Sequence, residues 1–507
     1  MRNFNTSGPN IPEKHYTLPR LSMIEEGADK VHDERYFTIW APRQTGKSTY
    51  FRLLAEHLER EGYKVAYVNF ENFKDAPIEA LLNMFHLCLN DFWQMDFTGF
   101  GLEDTFTEIT KVRDKRLVLI IDEVEGINEK YFGNVLHSIR NTYHSRTMHG
   151  LKSVILVGVS NIVGVVQDNA SPFNITDNLN IPYFTDEESL ELFGQHETET
   201  GQLFDPSVKS KISEITANQP GLVNGFAALL VHKHPNKSVI TYEDYLEVES
   251  WYLTEAIDKN ISNIVNKAKT HRNFVERLLF TEAKVPFQIH RDAIKELYVN
   301  GIIYRDKDGY VAFRVPLYQK CLHAAFYPYM NGELDRIRGS INTEDYFTKE
   351  GKFNLDTLIA AYKTYALRRR FRYFREKDKQ GNYITLKEAT LVYSFETYIN
   401  AFLNIVGGKS YLEAHTGLGR TDLLINVDNE EFVIEAKVYS DITQFKKGKK
   451  QVATYAQSLS LDSAIYLVFV ESEVTNKNVF EDVETIDGVA IKTHLVFYNL
   501  ETDFADI

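Results

Sequence analysis

Residues 36–50 read YFTIWAPRQTGKSTY. The run YFTIWA (36–41) is short, apolar and rich in aromatic and β-branched residues, which fits a buried strand. It runs straight into APRQTGKST (41–49), after which a helical pattern continues through Arg60. A strand, a glycine-bearing loop and a helix in direct succession make a phosphate cradle, because loop N–H groups and the positive helix end converge on one point. This spacing sets Gln44, Thr45, Gly46, Lys47, Ser48 and Thr49 around the phosphates of a nucleotide, here ATP. Lys47 is expected to reach the β- and γ-phosphates, and the Ser48 hydroxyl to ligate Mg²⁺. The first position of the usual pattern holds Ala41 in place of glycine, and alanine lacks glycine's freedom at positive φ. GKST itself is intact.

Working outward, KVAYVNF (64–70), RLVLIIDE (116–123) and SVILVGVSN (153–161) read as further apolar strands. Helical patterns over about 77–96, 103–112 and 128–144 separate them. Continuously apolar strands alternating with helices predict a parallel sheet covered on both faces. RLVLIIDE ends in Asp122 and Glu123, at the strand edge where such sheets present ligands. Asp122 is expected to hold Mg²⁺ through water, and Glu123 to polarise the attacking water.

These residues resemble the AAA-like and STAND-like P-loop ATPases over roughly residues 10–330. The resemblance extends to SPFNI (171–175) and to NQPG (218–221), which looks like the lid turn that closes over nucleotide. It implies a polar phosphate sensor at Ser160 or Asn161. Arg140 and Arg146 are candidates for an arginine finger or, equally, solvated helix arginines. His15, Tyr16 and Pro19 are candidates to flank the adenine.

From 184 to 232 the pattern is helical, broken at Asn218–Gly221, and helical again to about 300. NGIIYRDKDGYVAFRV then reads as strand, tight turn and strand. Helices followed by a short hairpin give a winged-helix layout at roughly 270–325. Its helix RDAIKELYV (291–299) is not strongly basic, which favours a lid on the ATPase over a DNA reader. Residues 331–385 read as a helical connector, with one long amphipathic helix at 354–375.

The C-terminal segment carries a second chemistry. Gly419-Arg420-Thr421-Asp422 is followed by LLINVDNEEFVI and then Glu435-Ala436-Lys437. Two alternating strands around Asp428-Asn429-Glu430 put Leu423, Ile425 and Val427 on one face, with Phe432, Ile434, Ala436 and Val438 on the matching face of the partner. Asp422, Glu435 and Lys437 fall together on the other face. Two carboxylates among apolar strands are costly unless neutralised, and a divalent metal beside a phosphate would neutralise them. Mg²⁺ or Mn²⁺ is expected on Asp422, Glu435 and the Ala436 carbonyl, with Lys437 orienting the attacking water.

The order helix (387–405), strand (410–414), two hairpin strands, helix (449–459), strand (464–470) with D…ExK resembles the PD-(D/E)XK nuclease superfamily, over about the last 120 residues. The resemblance assigns Gln451 and Tyr455, at i and i+4 on the second helix, to a Gln-x-x-x-Tyr signature. It also implies a further acid from the first helix, Glu396, with Glu413 as its competitor. LRRRFRYFRE (367–376) and QFKKGKKQ (444–451) are candidate nucleic-acid contacts, the first mixing arginines with aromatics.

The expected whole is an α/β multidomain chain. It comprises a parallel-sheet P-loop ATPase core (1–183), a helical and winged-helix lid (184–330), a helical connector (331–385) and an αβββαβ restriction-endonuclease-like PD-(D/E)XK domain (386–507). The expected function is an ATP-gated, metal-dependent nuclease with DNA as the favoured substrate. The competing reading is a nucleotide-switched DNA-binding protein with a non-catalytic nuclease fold. The resemblance fits defence against foreign DNA or mobile-element biology.

Composition sets limits on partners and compartment. A net charge of −14 argues against a globally basic nucleic-acid binder but leaves room for a local basic groove. The apolar fraction of 43% is that of a globular protein, and 507 residues exceed one core. No apolar run is long enough to span a bilayer. MRNFNTSGPNIPEKHY lacks the apolar region of a signal peptide, and Cys88 and Cys321 sit in apolar helical patterns that suit reduced thiols. A cytoplasmic protein without membrane contact is expected, with a homo-oligomer as an open option.

Overall fold

The computed structural model describes residues 2–158, 177–256, 258–326, 343–349, 351–369, 371, 384–415, 420–428, 430–471 and 479–498. Contacts divide the chain into two units, residues 1–270 with 286–321 and residues 271–285 with 322–507.

In the first unit, β1 (Phe37–Trp40), β2 (Lys64–Asn69), β3 (Leu117–Asp122), β4 (Leu151–Gly158) and β5 (Asp177–Asn180) form a sheet in the order β2-β3-β4-β1-β5. Every pairing in it is parallel. All of β3 is buried, and its alternation explains how. Leu117, Leu119 and Ile121 join one core, with the helices Ile78–Trp93, Leu102–Lys111 and Glu129–His144. Val118 and Ile120 join the other, with the helices Leu21–His32 and Lys47–Arg60. Each fully buried side chain of this kind contributes about 1.5–3 kcal/mol before the cost of ordering it.

The same unit continues through the helices Asp186–Thr200, Pro206–Thr216, Pro220–Lys233, Tyr242–Thr254 and Lys259–Thr270, and a short parallel pair, β6 (Leu203–Phe204) with β7 (Val239–Ile240). It also holds the helix Asp292–Val299 and an antiparallel hairpin, β8 (Ile303–Arg305) and β9 (Val311–Phe313). Gly301, at φ 73°, turns the chain against the start of the phosphate loop. A Cβ there would lie 2.8 Å from Pro42 Cγ.

The second unit is built on a mixed six-stranded sheet. Its strands are β10 (Lys409–His415), β11 (Arg420–Val427), β12 (Glu430–Val438), β13 (Ser463–Val470), β14 (Val483–Ile486) and β15 (Val489–Phe497). The order is β10-β11-β12-β13-β15-β14. β10, β11 and β12 pair antiparallel, β12, β13 and β15 parallel, and β14 closes one edge antiparallel. The helix Ile442–Ser458 covers one face, where Phe445, Val452, Ala453 and Ala456 meet Val433, Tyr466 and Val468. On the other face, Tyr362 of the helix Leu355–Arg369 meets Phe469, and Phe353 meets Phe402 and Phe432.

The structure differs from the sequence reading at two places. The last helix begins at Ile442, because the Asp441 carboxylate accepts from the Thr443 and Gln444 N–H groups. The lysines of QFKKGKKQ therefore lie on that helix and not on a loop before it. The strands β14 and β15 extend the sheet beyond the expected αβββαβ order. Among the described residues no helix is long and apolar enough to cross a membrane.

Candidate functional site

The phosphate loop leaves β1 and enters the helix Lys47–Arg60 through Gly46, which sits at φ 90° with open space where a Cβ would be. That position favours glycine, and it offers the first-turn N–H groups to a ligand because Gly46 has no side chain to cap them. Lys47 is buried, and its Nζ donates to the Ala41 carbonyl at 2.8 Å and the Pro42 carbonyl at 3.1 Å. Thr45 Oγ1 donates to the same Pro42 carbonyl at 2.8 Å. Burial pushes the Lys47 ammonium below its ordinary pKa, opposed by Glu123, Glu125 and Asp122.

Asp122 ends β3 almost fully buried. Its Oδ2 accepts from Tyr67 Oη at 3.1 Å and Asn69 Nδ2 at 3.4 Å, and its Oδ1 from the Glu123 N–H at 2.9 Å. Burial, then the charge of Glu123, raises its carboxyl pKa. Glu123 stands in the left-handed region at φ 49°, and burial followed by Glu125 raises it too. Glu125, Tyr67 and Asn69 were not singled out from the sequence. Their signal, polar residues at the C-terminal edge of β2 and just past β3, is legible only once the strands are paired.

The turn at Asn218–Gly221 meets the loop directly. Gln219 Nε2 donates to the Arg43 and Gln44 carbonyls at 3.1 and 3.2 Å, and the Gly221 N–H to the Gln44 carbonyl at 2.9 Å. A cavity of about 480 Å³ opens beside the loop, lined by Thr45, Gly46, Thr49, Pro19, Phe184 and Pro220 among others. Its size and loop wall fit a nucleoside triphosphate. Thr49 Oγ1 accepts from the Asn10 N–H at 3.0 Å, which ties the N-terminal segment to the loop helix.

Of the residues expected to flank adenine, Pro19 lines this cavity and Tyr16 does not. Tyr16 is buried against His196, 3.2 Å from its Nδ1, and lines the neighbouring cavity. His15 Nδ1 accepts from the Ile11 N–H at 2.9 Å. Arg146 stacks 4.0 Å over Tyr143 and donates to its carbonyl at 3.1 Å. Ser160, Asn161 and SPFNI (171–175) lie outside the described residues.

In the second unit the β11–β12 register pairs Leu423 with Ile434, and one step further brings Asp422 opposite Glu435. Asp422 Oδ2 accepts from the Ala436 N–H at 2.8 Å. Lys437 Nζ lies 3.3 Å from Asp422 Oδ2, 3.0 Å from Glu435 Oε1 and 3.0 Å from Glu388 Oε1. The three residues expected on one face are therefore together, and Glu388, from the first turn of the helix Glu388–Val406, joins them.

Glu435 is 1% exposed, and its Oε2 has no hydrogen-bond partner among the described residues. Burial, then the Asp422 charge, pushes its carboxyl up to about 8. Burial likewise raises Asp422. Lys437 is raised, because Asp422, Glu435 and Glu388 together outweigh its burial. An orphaned carboxylate oxygen opposite a second acid suits a hard divalent cation, so Asp422 and Glu435 fit Mg²⁺ or Mn²⁺. Among the described residues no three carboxylate, histidine or cysteine side chains already converge as a ligand set.

The structure does not bring Glu396 to this cluster. Two turns along its helix, its Oε1 accepts from Asn400 Nδ2 at 3.0 Å and Ser410 Oγ at 3.2 Å. The helix acid that meets Lys437 is Glu388. Gln451 Nε2 donates to Tyr455 Oη at 2.8 Å, and Gln451 shares a cavity of about 300 Å³ with Glu388, Lys437, Lys447 and Tyr466. Lys449 is buried and bonded to Asp482 and Glu484, which removes it from the expected basic cluster. Gly419, the Glu413 side chain and most of 367–376 lie outside what is described.

Comparison with known proteins places the first unit. The chain is similar to the Walker-type ATPase PABY2304 of Pyrococcus abyssi, at 13% identity and TM-score 0.48, over 63% of this chain and 99% of that one. It is similar to the Aeropyrum pernix ORC1 protein solved in complex with DNA, at 14% identity and TM-score 0.36, over 61% and 94%. It is similar to the RuvB Holliday junction branch migration motor of Thermotoga maritima, at 11% identity and TM-score 0.35, over 58% and 91%. Among curated proteins none matches. The family described as AAA-like domain matches residues 27–323. This chain belongs to that AAA-like family, and its parallel sheet and phosphate loop are those of a P-loop ATPase.

Proposed function

We propose that the chain is an ATP-regulated, metal-dependent nuclease acting on nucleic acid, with DNA the favoured substrate. The observation that carries this reading is that Lys437 Nζ lies within 3.3 Å of Asp422 and Glu435, on neighbouring strands, and of Glu388 from the adjoining helix, beside a cavity that also receives Gln451. A divalent metal on Asp422 and Glu435 would supply an activated water and neutralise charge building at phosphorus. Lys437, held by three carboxylates, orients that water or a phosphate oxygen. Glu388 fixes the lysine by accepting from Nζ, and from the Val438 N–H at 3.4 Å. Gln451, steadied by Tyr455, borders the scissile group. Lys446, Lys447 and Lys450, exposed on the same helix, attract the phosphate backbone.

In the first unit Lys47 and Ser48 would hold the phosphates and Mg²⁺, Asp122 would anchor the metal through water, and Glu123 would accept the proton of the attacking water. Nucleotide binding then licenses cleavage, in cytoplasmic defence against foreign DNA or in mobile-element biology.

One observation favours a second reading. Lys437 lies within 3.3 Å of all three acids, so the cluster is partly neutralised without metal, as a nucleotide-switched binding platform would be. Incubation with linear, circular and single-stranded DNA, with and without ATP and Mg²⁺ or Mn²⁺, separates the two. Cleavage lost in Asp422→Ala supports the nuclease, and DNA binding without cleavage supports the platform. Cleavage unchanged in Lys47→Ala removes the gating by nucleotide.

A further inference from the structure

A second cavity of the first unit, of about 700 Å³, adjoins the one of about 480 Å³ beside the phosphate loop. Thr6, Gln44, Gly221 and Asp258 line both, whereas Thr45, Gly46 and Thr49 line only the smaller. The larger space opens because the helix Pro220–Lys233 turns small residues toward it. Gly221, Gly225 and Ala228 recur at helical spacing along one face, and all three line it. Gly225 also admits Tyr252, since a Cβ there would lie 2.5 Å from the Tyr252 hydroxyl oxygen.

Tyr252 is 8% exposed, and its ring is stacked on Phe226 at 4.5 Å. It lines the cavity, and among the described residues its hydroxyl has no hydrogen-bond partner. A buried hydroxyl that the chain leaves unpaired is open to a partner from outside it. Asp258 supplies charge to the same wall. Its Oδ1 accepts from the Asn260 and Ile261 N–H groups at 2.8 and 2.9 Å, which fixes the carboxylate at the start of the helix Lys259–Thr270. Its Oδ2 has no hydrogen-bond partner, and the carboxylate no ion pair, among the described residues. Arg2 lines the cavity too, but its guanidinium is held by Glu199 at 3.0 Å and Gln195 at 3.2 Å. Burial, then the Asp258 charge, raises the Tyr252 pKa, so that hydroxyl keeps its proton.

Phe4, Leu222 and Trp251 make the rest of the wall largely apolar and aromatic. An aromatic ring can bury its faces there, and aromatic walls also favour a cation. An ammonium on a short arm would donate to Asp258 Oδ2 and to the Tyr252 oxygen. An anion of the same shape would meet the fixed carboxylate and be repelled. We propose that this cavity is a second ligand site of the first unit, separate from the nucleotide site, and that it takes an aromatic amine. Neither proposed reaction is needed for it.

The test titrates full-length protein calorimetrically with tryptamine, and with indole-3-propionate as an isostere of opposite charge. Tryptamine is expected to bind one site per chain, saturably below about 1 mM, and indole-3-propionate at least about tenfold more weakly. Saturating MgATP is expected to leave that site open. Ala228 lines this cavity and not the smaller one, so Ala228→Trp is expected to abolish tryptamine binding and leave MgATP binding unchanged. Asp258→Asn can still cap its helix and is expected to weaken tryptamine at least about tenfold, with thermal unfolding confirming that both variants fold. Absence of saturable tryptamine binding, or equal binding of the two indoles, overturns the inference. Complete displacement of tryptamine by MgATP overturns it too, by putting the amine in the nucleotide cavity. Tryptamine binding unaltered in folded Ala228→Trp protein does the same, by putting it elsewhere.

Discussion

Glu435 Oε1 lies 3.0 Å from Lys437 Nζ, two residues along the same strand, and the same ammonium is 3.3 Å from Asp422 across the hairpin. One cation thus serves a buried acid and a half-buried one. The strand periodicity that puts all three on one face also concentrates more negative charge than a single lysine cancels.

The first prediction concerns metal and pH. With Glu435 raised to about 8 by burial and by Asp422, its carboxyl is mostly protonated at neutral pH when no metal is bound. For an acid raised in the fold, stability is fully present at low pH and is lost as pH rises through the folded value. Metal binding must displace that proton, so Mn²⁺ affinity should rise about tenfold per pH unit from pH 6 to 8 and level off above. Calorimetric titrations at pH 6, 7 and 8 measure this. Glu435→Gln should remove the proton release along with most of the affinity.

The second prediction separates the two acids of the helix Glu388–Val406. Glu388→Gln should lower cleavage about 10- to 100-fold, as expected for a residue that orients a catalytic group. Glu396→Gln can still accept from Asn400 and Ser410 and should leave cleavage within about threefold. Rates for both variants on one DNA substrate decide it, and a larger loss in Glu396→Gln would reverse the assignment.

That pair also shows what the sequence could and could not say. The phosphate loop and β3 are legible because each is local: a glycine, a lysine and an apolar run in one continuous stretch. Asp422, Glu435 and Lys437 are legible because a hairpin fixes their register by simple alternation. Choosing Glu388 over Glu396 needs the direction in which the helix runs past β12, which no local pattern contains. β15 was missed for a similar reason. Lys492 and His494 interrupt its apolar pattern, and both are satisfied by Asp356, at 2.6 and 2.8 Å, from a helix more than a hundred residues away. The partnering of Gln219 with the phosphate loop was likewise hidden, although the turn that holds it was not.

The third prediction tests how the helix Ile442–Ser458 positions Gln451. Gly448 lets that helix approach β13, and a Cβ at Gly448 would overlap the Tyr466 hydroxyl. Gly448→Ala should therefore destabilise the second unit by about 1–3 kcal/mol and reduce cleavage by displacing Gln451. That Cβ would also lie 2.5 Å from Tyr466 Cζ and 2.7 Å from Cε2, so Tyr466→Leu in the same protein, which removes the ring, should restore part of both losses. Tyr466→Phe, which removes only the hydroxyl, should restore little. Thermal unfolding and cleavage rates of the single and double variants measure the coupling.

The fourth prediction lies in the core of the second unit. His323 is 2% exposed, stacked 4.1 Å from Tyr393 and edge-on to Phe280 at 5.0 Å. Burial, then the nearby Lys387 charge, hold its imidazole down at about 3. The folded ring stays neutral while the unfolded ring titrates near 6.5. Stability is therefore present above about pH 6.5 and lost as pH falls toward 3, by about 2 kcal/mol between pH 7 and 5. Asp356, held down to about 2 by His494 and then Lys492, adds its own loss only below about pH 4, outside that window. His323→Phe keeps the ring contacts and removes the titration, so the unfolding free energy of wild type minus that of His323→Phe should drop by about 2 kcal/mol from pH 7 to 5, the opposite gain from Glu435 being common to both proteins. Equal pH slopes in urea unfolding of the two proteins would mean that His323 is already protonated, or solvated, in the folded unit.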